Sequence, residues 1–162
     1  MSTTPPNSAA EPNPLDALLK PEDVMLDVDV GDRDALLHLL ARHFAESRHG
    51  LNEERVYQAL AARERLGSTA LGHGVALPHA RMDEVREAAG AFVRLRHPIP
   101  FGIAGGRPVG LVLALLVPRH ATEAHLRLLA AAAEAFASRS ACDRLSRCTA
   151  AQEARDILAF QG

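Results

Sequence analysis

The sequence predicts an α/β domain in which a mixed β-sheet is packed between α-helices. Three observations predict it. The run Gly110–Val117, GLVLALLV, is apolar throughout, as a central strand covered on both faces must be. Leu36, Leu37, Leu40 and Phe44 recur at helical spacing. Strand-like and helix-like stretches also alternate along the chain, which is the order expected of an α/β layer architecture.

The chain opens with MSTTPPNSAAEPNP, a proline-rich run of small and polar residues. It buries too little apolar surface to offset its ordering entropy, so residues 1–14 are expected to form a disordered tail ahead of one domain, 15–162. Val24 to Val30, VMLDVDV, alternates apolar with acidic and predicts a strand at a solvent-facing edge. Gly31-Asp32 turns the chain, and Asp32 is the N-cap of a helix to about Arg48. A second helix is expected after Asn52, with Val56, Tyr57 and Leu60 on one face and Gly67 as its C-terminal cap. Val75–Leu77 reads as a short buried strand stopped by Pro78, and Ala91–Arg96 as a half-buried one. The apolar strand ends at Pro118. A helix from Thr122 to Ala137 is expected to turn Leu126, Leu129 and Phe136 inward, and Thr149–Gln152 has the form of a capping box for a last helix ending near Phe160.

Composition narrows the function. The 162 residues are 48% hydrophobic and 23% charged, which excludes global disorder. Eighteen basic against twenty acidic side chains give a net charge of -2, which argues against a nucleic-acid binder held by phosphate neutralisation. Cys142 and Cys148 fit neither a disulfide framework nor a CxxC metal pattern, so a reducing compartment is the expectation. No run spans a bilayer and the start lacks a signal peptide's layout, so a soluble cytoplasmic protein without direct membrane insertion is expected. The near-exclusive use of arginine over lysine and the abundant alanine fit a GC-rich bacterial genome.

The least ordinary stretch is GSTALGHGVALPHARMDEV. Pro78 fixes its own φ and biases Leu77 to an extended conformation, so His79 is expected to leave the sheet in a defined direction. Its small neighbours Gly72, Gly74, Ala76 and Ala80 leave room for another surface to approach. That suits an imidazole that meets a macromolecule, although a histidine after a strand is more often structural. A metal-dependent hydrolase built on His73, His79, His120 and His125 lacks HExxH, CxxC or any other tight ligand spacing, and the glycine turn lacks the Gly-Lys-Ser/Thr ending of a P-loop.

Read whole, the segment resembles the enzyme IIA domains of the phosphoenolpyruvate-dependent sugar phosphotransferase system, of the fructose–mannitol type that includes the nitrogen-regulatory IIA proteins. Leu71-Gly72-His73-Gly74-Val75-Ala76-Leu77-Pro78-His79-Ala80 fits each position of that family's signature, and Glu64 is the polar residue expected seven places earlier. Ala62 to Thr69 is similar to the family's arginine-bearing helix end. Phe92–Leu95, His97–Ile99, Pro108-Val109, Ala114–Pro118 and His125-Leu126 follow the pattern downstream. The resemblance covers about residues 15–160.

The resemblance implies the IIA fructose/mannitol-type fold and a phosphotransferase or phosphocarrier with a phosphohistidine intermediate. His79 would accept the phosphoryl group on Nε2 from a histidine phosphocarrier protein, and no cofactor or metal is implied. Arg63 would stabilise the phosphoryl oxygens, and His125 would hydrogen-bond to them. By residue type alone, Arg63 reads as an exposed helix arginine and His125 as ordinary surface. His73 departs from the asparagine or acid usual in relatives, and is equally a pocket residue or a surface turn histidine. Gly110 stands where relatives often carry an acid, and Ala80 replaces a common glycine. A free-standing regulatory IIA, binding nitrogen, carbon or ion-transport targets, is favoured. The alternatives are a transport IIA passing phosphate to a IIB domain and a non-catalytic protein-binding module.

Overall fold

The computed structural model describes residues 13–102, 106–120 and 122–159. The expected tail therefore lies outside the described residues except for Asn13 and Pro14. Asn13 opens a turn, its side-chain oxygen accepting the Leu15 N–H at 2.9 Å. Phe160, where the last helix was expected to end, is also outside them.

A short 3₁₀ turn, Pro21–Asp23, leads into β1 (Val24–Val28). Helices α1 (Arg33–Ser47) and α2 (Glu53–Leu66) follow. Asp32 and Asn52 cap them as the sequence predicts, accepting the N–H groups of Ala35 at 2.8 Å and Arg55 at 3.0 Å. Next come β2 (Ala70–Gly72), β3 (Val75–Ala76), β4 (His79–Met82), β5 (Ala89–Ile99) and β6 (Val109–Pro118). Three helices close the described chain, α3 (Glu123–Ala137), α4 (Arg139–Arg147) and α5 (Ala151–Ala159).

The strands form one mixed sheet in the order β1-β5-β6-β3-β2, with β4 also on β6. β1 is an edge strand, as its acidic alternation predicts, and pairs in parallel with β5. Alternation along β6 divides the core. Val112, Ala114 and Leu116 join Leu36, Leu40, Phe44, Val56 and Leu60 on the α1–α2 side. Leu111, Leu113, Leu115 and Val117 join Leu128, Ala132, Phe136, Leu145 and Ile157 on the α3–α5 side. An apolar strand with both faces covered is what the sequence requires, and the sheet is sandwiched between two helical layers.

Several expectations need correcting. β5 is longer than Ala91–Arg96 and is buried from Ala89 to Val93, because β1 and β6 flank it on both sides. Leu126 is 55% exposed, and the inward stripe of α3 is Leu128, Ala132, Ala135 and Phe136. Gly67 caps α2 as expected, but with an extended backbone at φ 160° and a tight turn from its N–H to the Glu64 carbonyl at 3.2 Å rather than a left-handed cap. At α5 the back-bond to the Thr149 N–H comes from Glu153 at 3.1 Å, one residue beyond the expected Gln152. α4 has no counterpart in the sequence reading, since it buries only Ala141 and Leu145 and is otherwise polar.

Candidate functional site

His79 does not leave the sheet. It opens β4, which continues the line of β3 along the same side of β6. β3 pairs Ala76 with Val112, and β4 resumes with His79 opposite Leu115 in the same register. Pro78 explains both the break and its repair. It has no N–H to give the ladder, yet its carbonyl accepts the Leu115 N–H at 2.9 Å. Ala80 and Met82 face the α1–α2 core. Alternation therefore sends the His79 ring to the other face of the sheet, the one covered by α3.

The His79 ring is half-buried, and its Nδ1 lies 2.8 Å from the Leu77 carbonyl. A carbonyl can only accept, so Nδ1 carries the proton, and in the neutral ring Nε2 is a free lone pair. Burial holds the imidazole below its ordinary basicity. The Leu77 carbonyl opposes that shift, the Arg63 charge adds to it, Glu64 opposes it and Arg81 adds to it. The ring is thus biased towards its neutral form.

Arg63 is brought to this ring by the turn that ends α2. Its Nη1 donates to the Gly67 carbonyl at 2.8 Å. Thr69 faces Leu77 through a Leu77 N–H to Thr69 carbonyl bond at 3.0 Å, and the Arg63 charge is near enough to act on the His79 ring. Only part of the guanidinium is used in the bond to Gly67, so it keeps further donors.

His125 sits in the first turn of α3. Its Nδ1 accepts the Thr122 N–H at 2.9 Å, so the neutral ring keeps its proton on Nε2 as a donor. The other end of α3 reaches the β2–β3 turn, where the Phe136 carbonyl meets the His73 ring at 2.6 Å. No hydrogen bond joins the His79 and His125 rings among the described residues. In the neutral forms, His79 thus has a lone pair at Nε2 and His125 a donor at Nε2.

His73 is not brought to His79. It occupies the β2–β3 turn at φ 28°, between Gly72 and Gly74 at φ 91° and 87°. Its bond to the Phe136 carbonyl ties that turn to the C-terminal end of α3, at the opposite end of the strand line from His79. His73, His79, His120 and His125 do not converge as a ligand set, and among the described residues no group of three His, Cys, Asp or Glu is placed to hold a metal ion. A cavity of about 390 Å³ lies between α1 and α2, lined by Arg33, Tyr57 and Glu64 among others, and His79 is not part of its wall.

Sequence reasoning missed the Leu77 carbonyl and the Thr69 backbone, because main-chain groups carry no signal in residue identity. It had Glu64 only as a signature position. Glu64 is 5% exposed, and its carboxylate accepts the Thr69 N–H at 3.2 Å and the Thr69 hydroxyl.

A mixed sheet between two helical layers, with a tautomer-fixed histidine at the restart of an interrupted strand, defines a class, and the comparisons agree with it. The chain belongs to the family described as phosphoenolpyruvate-dependent sugar phosphotransferase system, EIIA 2, whose family model matches residues 17–160. Within that family it is similar to regulatory members. A nitrogen regulatory protein of Bradyrhizobium diazoefficiens is 36% identical over 91% of this chain and 95% of that protein. One from Pseudomonas aeruginosa is 33% identical over 89% of this chain and 94% of that protein. The crystal structure of nitrogen regulatory protein IIA-Ntr from Neisseria meningitidis superposes with a TM-score of 0.84 at 38% identity, covering 89% of this chain and 98% of that one. Among the described residues no helix is long and apolar enough to cross a membrane.

Proposed function

We propose that this chain is a regulatory IIA protein that receives a phosphoryl group on His79 Nε2 from a histidine phosphocarrier protein and reports its phosphorylation state by binding target proteins. The observation that carries the reading is the His79 Nδ1–H bond to the Leu77 carbonyl, which leaves Nε2 as the nucleophile. In the transfer, the Nε2 lone pair attacks phosphorus in line as the N–P bond in the donor's phosphohistidine breaks and the donor imidazole departs. Nδ1 keeps its proton, and the Leu77 carbonyl stabilises the positive charge that the ring acquires. Arg63 offsets the phosphoryl charge, and the Nε2–H of His125 donates to a phosphoryl oxygen. His73 takes no part in this reading.

A protein donor fits the surroundings of His79. Leu66, 86% exposed at the end of α2, and Leu126, 55% exposed beside His125, are apolar side chains offered to a partner surface. The regulatory relatives favour signalling over sugar transport.

The test is incubation with enzyme I, the phosphocarrier and phosphoenolpyruvate, read by intact mass. The expected result is one acid-labile phosphoryl group on the wild-type chain and none on His79→Ala. Arg63→Ala is expected to slow single-turnover transfer about a hundredfold, in the range of other lost transition-state charge contacts. Full labelling of His79→Ala would sink the assignment.

A further inference from the structure

Hydrogen bonds in series connect the last turn of α2 to the His79 ring. The Glu64 carboxylate accepts the N–H and the hydroxyl of Thr69. The Thr69 carbonyl accepts the Leu77 N–H at 3.0 Å, and the Leu77 carbonyl accepts His79 Nδ1–H at 2.8 Å. Arg33 approaches the same carboxylate from its other side, Nη1 to Oε2 at 3.7 Å.

The weak link in this series is the Leu77-Pro78 peptide. On the β6 side the Pro78 carbonyl takes the Leu115 N–H, whereas the Leu77 N–H faces away from β6 to Thr69, so the β6 ladder does not orient the Leu77 carbonyl. That freedom lets the carbonyl turn to the imidazole, and its direction depends on what holds Leu77 from the opposite side. Thr69 holds it, and Glu64 holds Thr69. A carboxylate at a site this buried is costly unless its lone pairs are used, and neighbouring positions on the same helix face carry Leu60 and Ala61. Glu64 supplies two acceptors aimed at one residue, which an apolar side chain cannot.

We propose that Glu64 is a positioning residue for His79: acting through Thr69 and Leu77, it fixes the carbonyl that selects the Nδ1–H tautomer and so keeps Nε2 free to attack. This rests on the phosphoacceptor reading of His79 and deepens it. Glu64 touches no reacting atom, and its positioning effect is carried by the geometry of the 64–69–77–79 series, separately from the charge it places near the ring.

The test is ¹⁵N NMR of the His79 imidazole in the full chain at neutral pH, alongside single-turnover phosphoryl transfer. Three charged groups act on this ring, Arg63 and Glu64 from α2 and Arg81 from β4, so charge must be separated from hydrogen bonding. Glu64→Ala is expected to turn the wild-type Nδ1–H spectrum into a mixture of tautomers and to slow transfer about tenfold or more, as loss of an orienting outer partner does elsewhere. Glu64→Gln removes the charge and keeps an acceptor for Thr69, and is expected to restore the tautomer and most of the rate. Thr69→Val removes the hydroxyl alone and is expected to fall between wild type and Glu64→Ala.

An unchanged tautomer in Glu64→Ala overturns the proposal, as does a Glu64→Gln spectrum as mixed as that of Glu64→Ala. If Glu64→Ala does not fold, Thr69→Val decides, and a wild-type tautomer there overturns it. Should wild type accept no phosphoryl group while the tautomer still follows Glu64 and Thr69, the phosphoacceptor reading fails and the positioning role stands.

Discussion

An imidazole can attack phosphorus only while it is neutral, and the surroundings of His79 widen the pH range in which it is neutral. Burial is the main cause of its lowered pKa, with the Arg63 charge working in the same direction. The group binds fewer protons folded than unfolded across the window below the ordinary value of 6.5. Its contribution to stability is therefore intact above that value and is eroded as pH falls below it, while the ring itself stays deprotonated further into acid than a free histidine. An NMR titration of His79 is expected to show a midpoint below 6.5, and a midpoint at or above it would contradict the geometry described here. The opposite protonation patterns of His79 and His125 follow from which partner each Nδ1 meets, a carbonyl in one case and a backbone N–H in the other. Residue type alone could not separate these histidines, because imidazole both donates and accepts.

Helices and strands hold these side chains through close contacts that leave little slack. Gly90 in β5 lies beneath Leu18, and a Cβ placed there would stand 2.6 Å from both Cγ and Cδ2 of that side chain. Leu18 is itself buried with Leu15 and Leu19 against the α3–α5 face, so it cannot simply swing away. Gly90→Ala is expected to cost about 1–3 kcal/mol as an overpacking change, read as a lower denaturant midpoint with the slope unchanged. The long elements were legible because their apolar spacing is set by burial. β2 and β4 were not, because three or four residues show no period and, unlike the still shorter β3, neither is an apolar run marked off by a proline. The missed α4 is a polar segment whose helix depends on the Ser138 cap, with its hydroxyl accepting the Ala141 N–H at 3.1 Å, and on two buried residues. Leu126 was misplaced because helical spacing alone does not say which of several apolar stripes meets the sheet.

At the scale of the whole molecule, a buried ion cluster ties the start of the sheet to the helical layer. Asp23, fully buried ahead of β1, accepts His43 Nε2–H at 2.8 Å and the Arg48 fork at 3.2 and 3.0 Å. Burial alone would raise its carboxyl, but the bonds from His43, Arg48 and the Lys20 N–H outweigh that and lower its pKa from 3.8 to about 2. A lowered carboxyl stabilises the fold above its unfolded value, so about 2 kcal/mol is present above pH 3.8 and is lost as pH falls towards 2. Asp23→Ala is expected to cost about 3–5 kcal/mol at neutral pH by stranding the Arg48 and His43 side chains, and to flatten the stability profile in that acid window. A variant as stable as wild type, with the same acid profile, would remove the cluster from the stability account. By itself the sequence determined the layered α/β class, the buried central strand, the caps of the first two helices and the segment containing His79, because burial periodicity and cap chemistry are local. Only the tertiary structure decided that the strand line resumes at His79, that His73 belongs to the far end and that Glu64 reaches the imidazole through two backbones. Those contacts depend on main-chain atoms and on strand register, which every residue shares and no residue type announces.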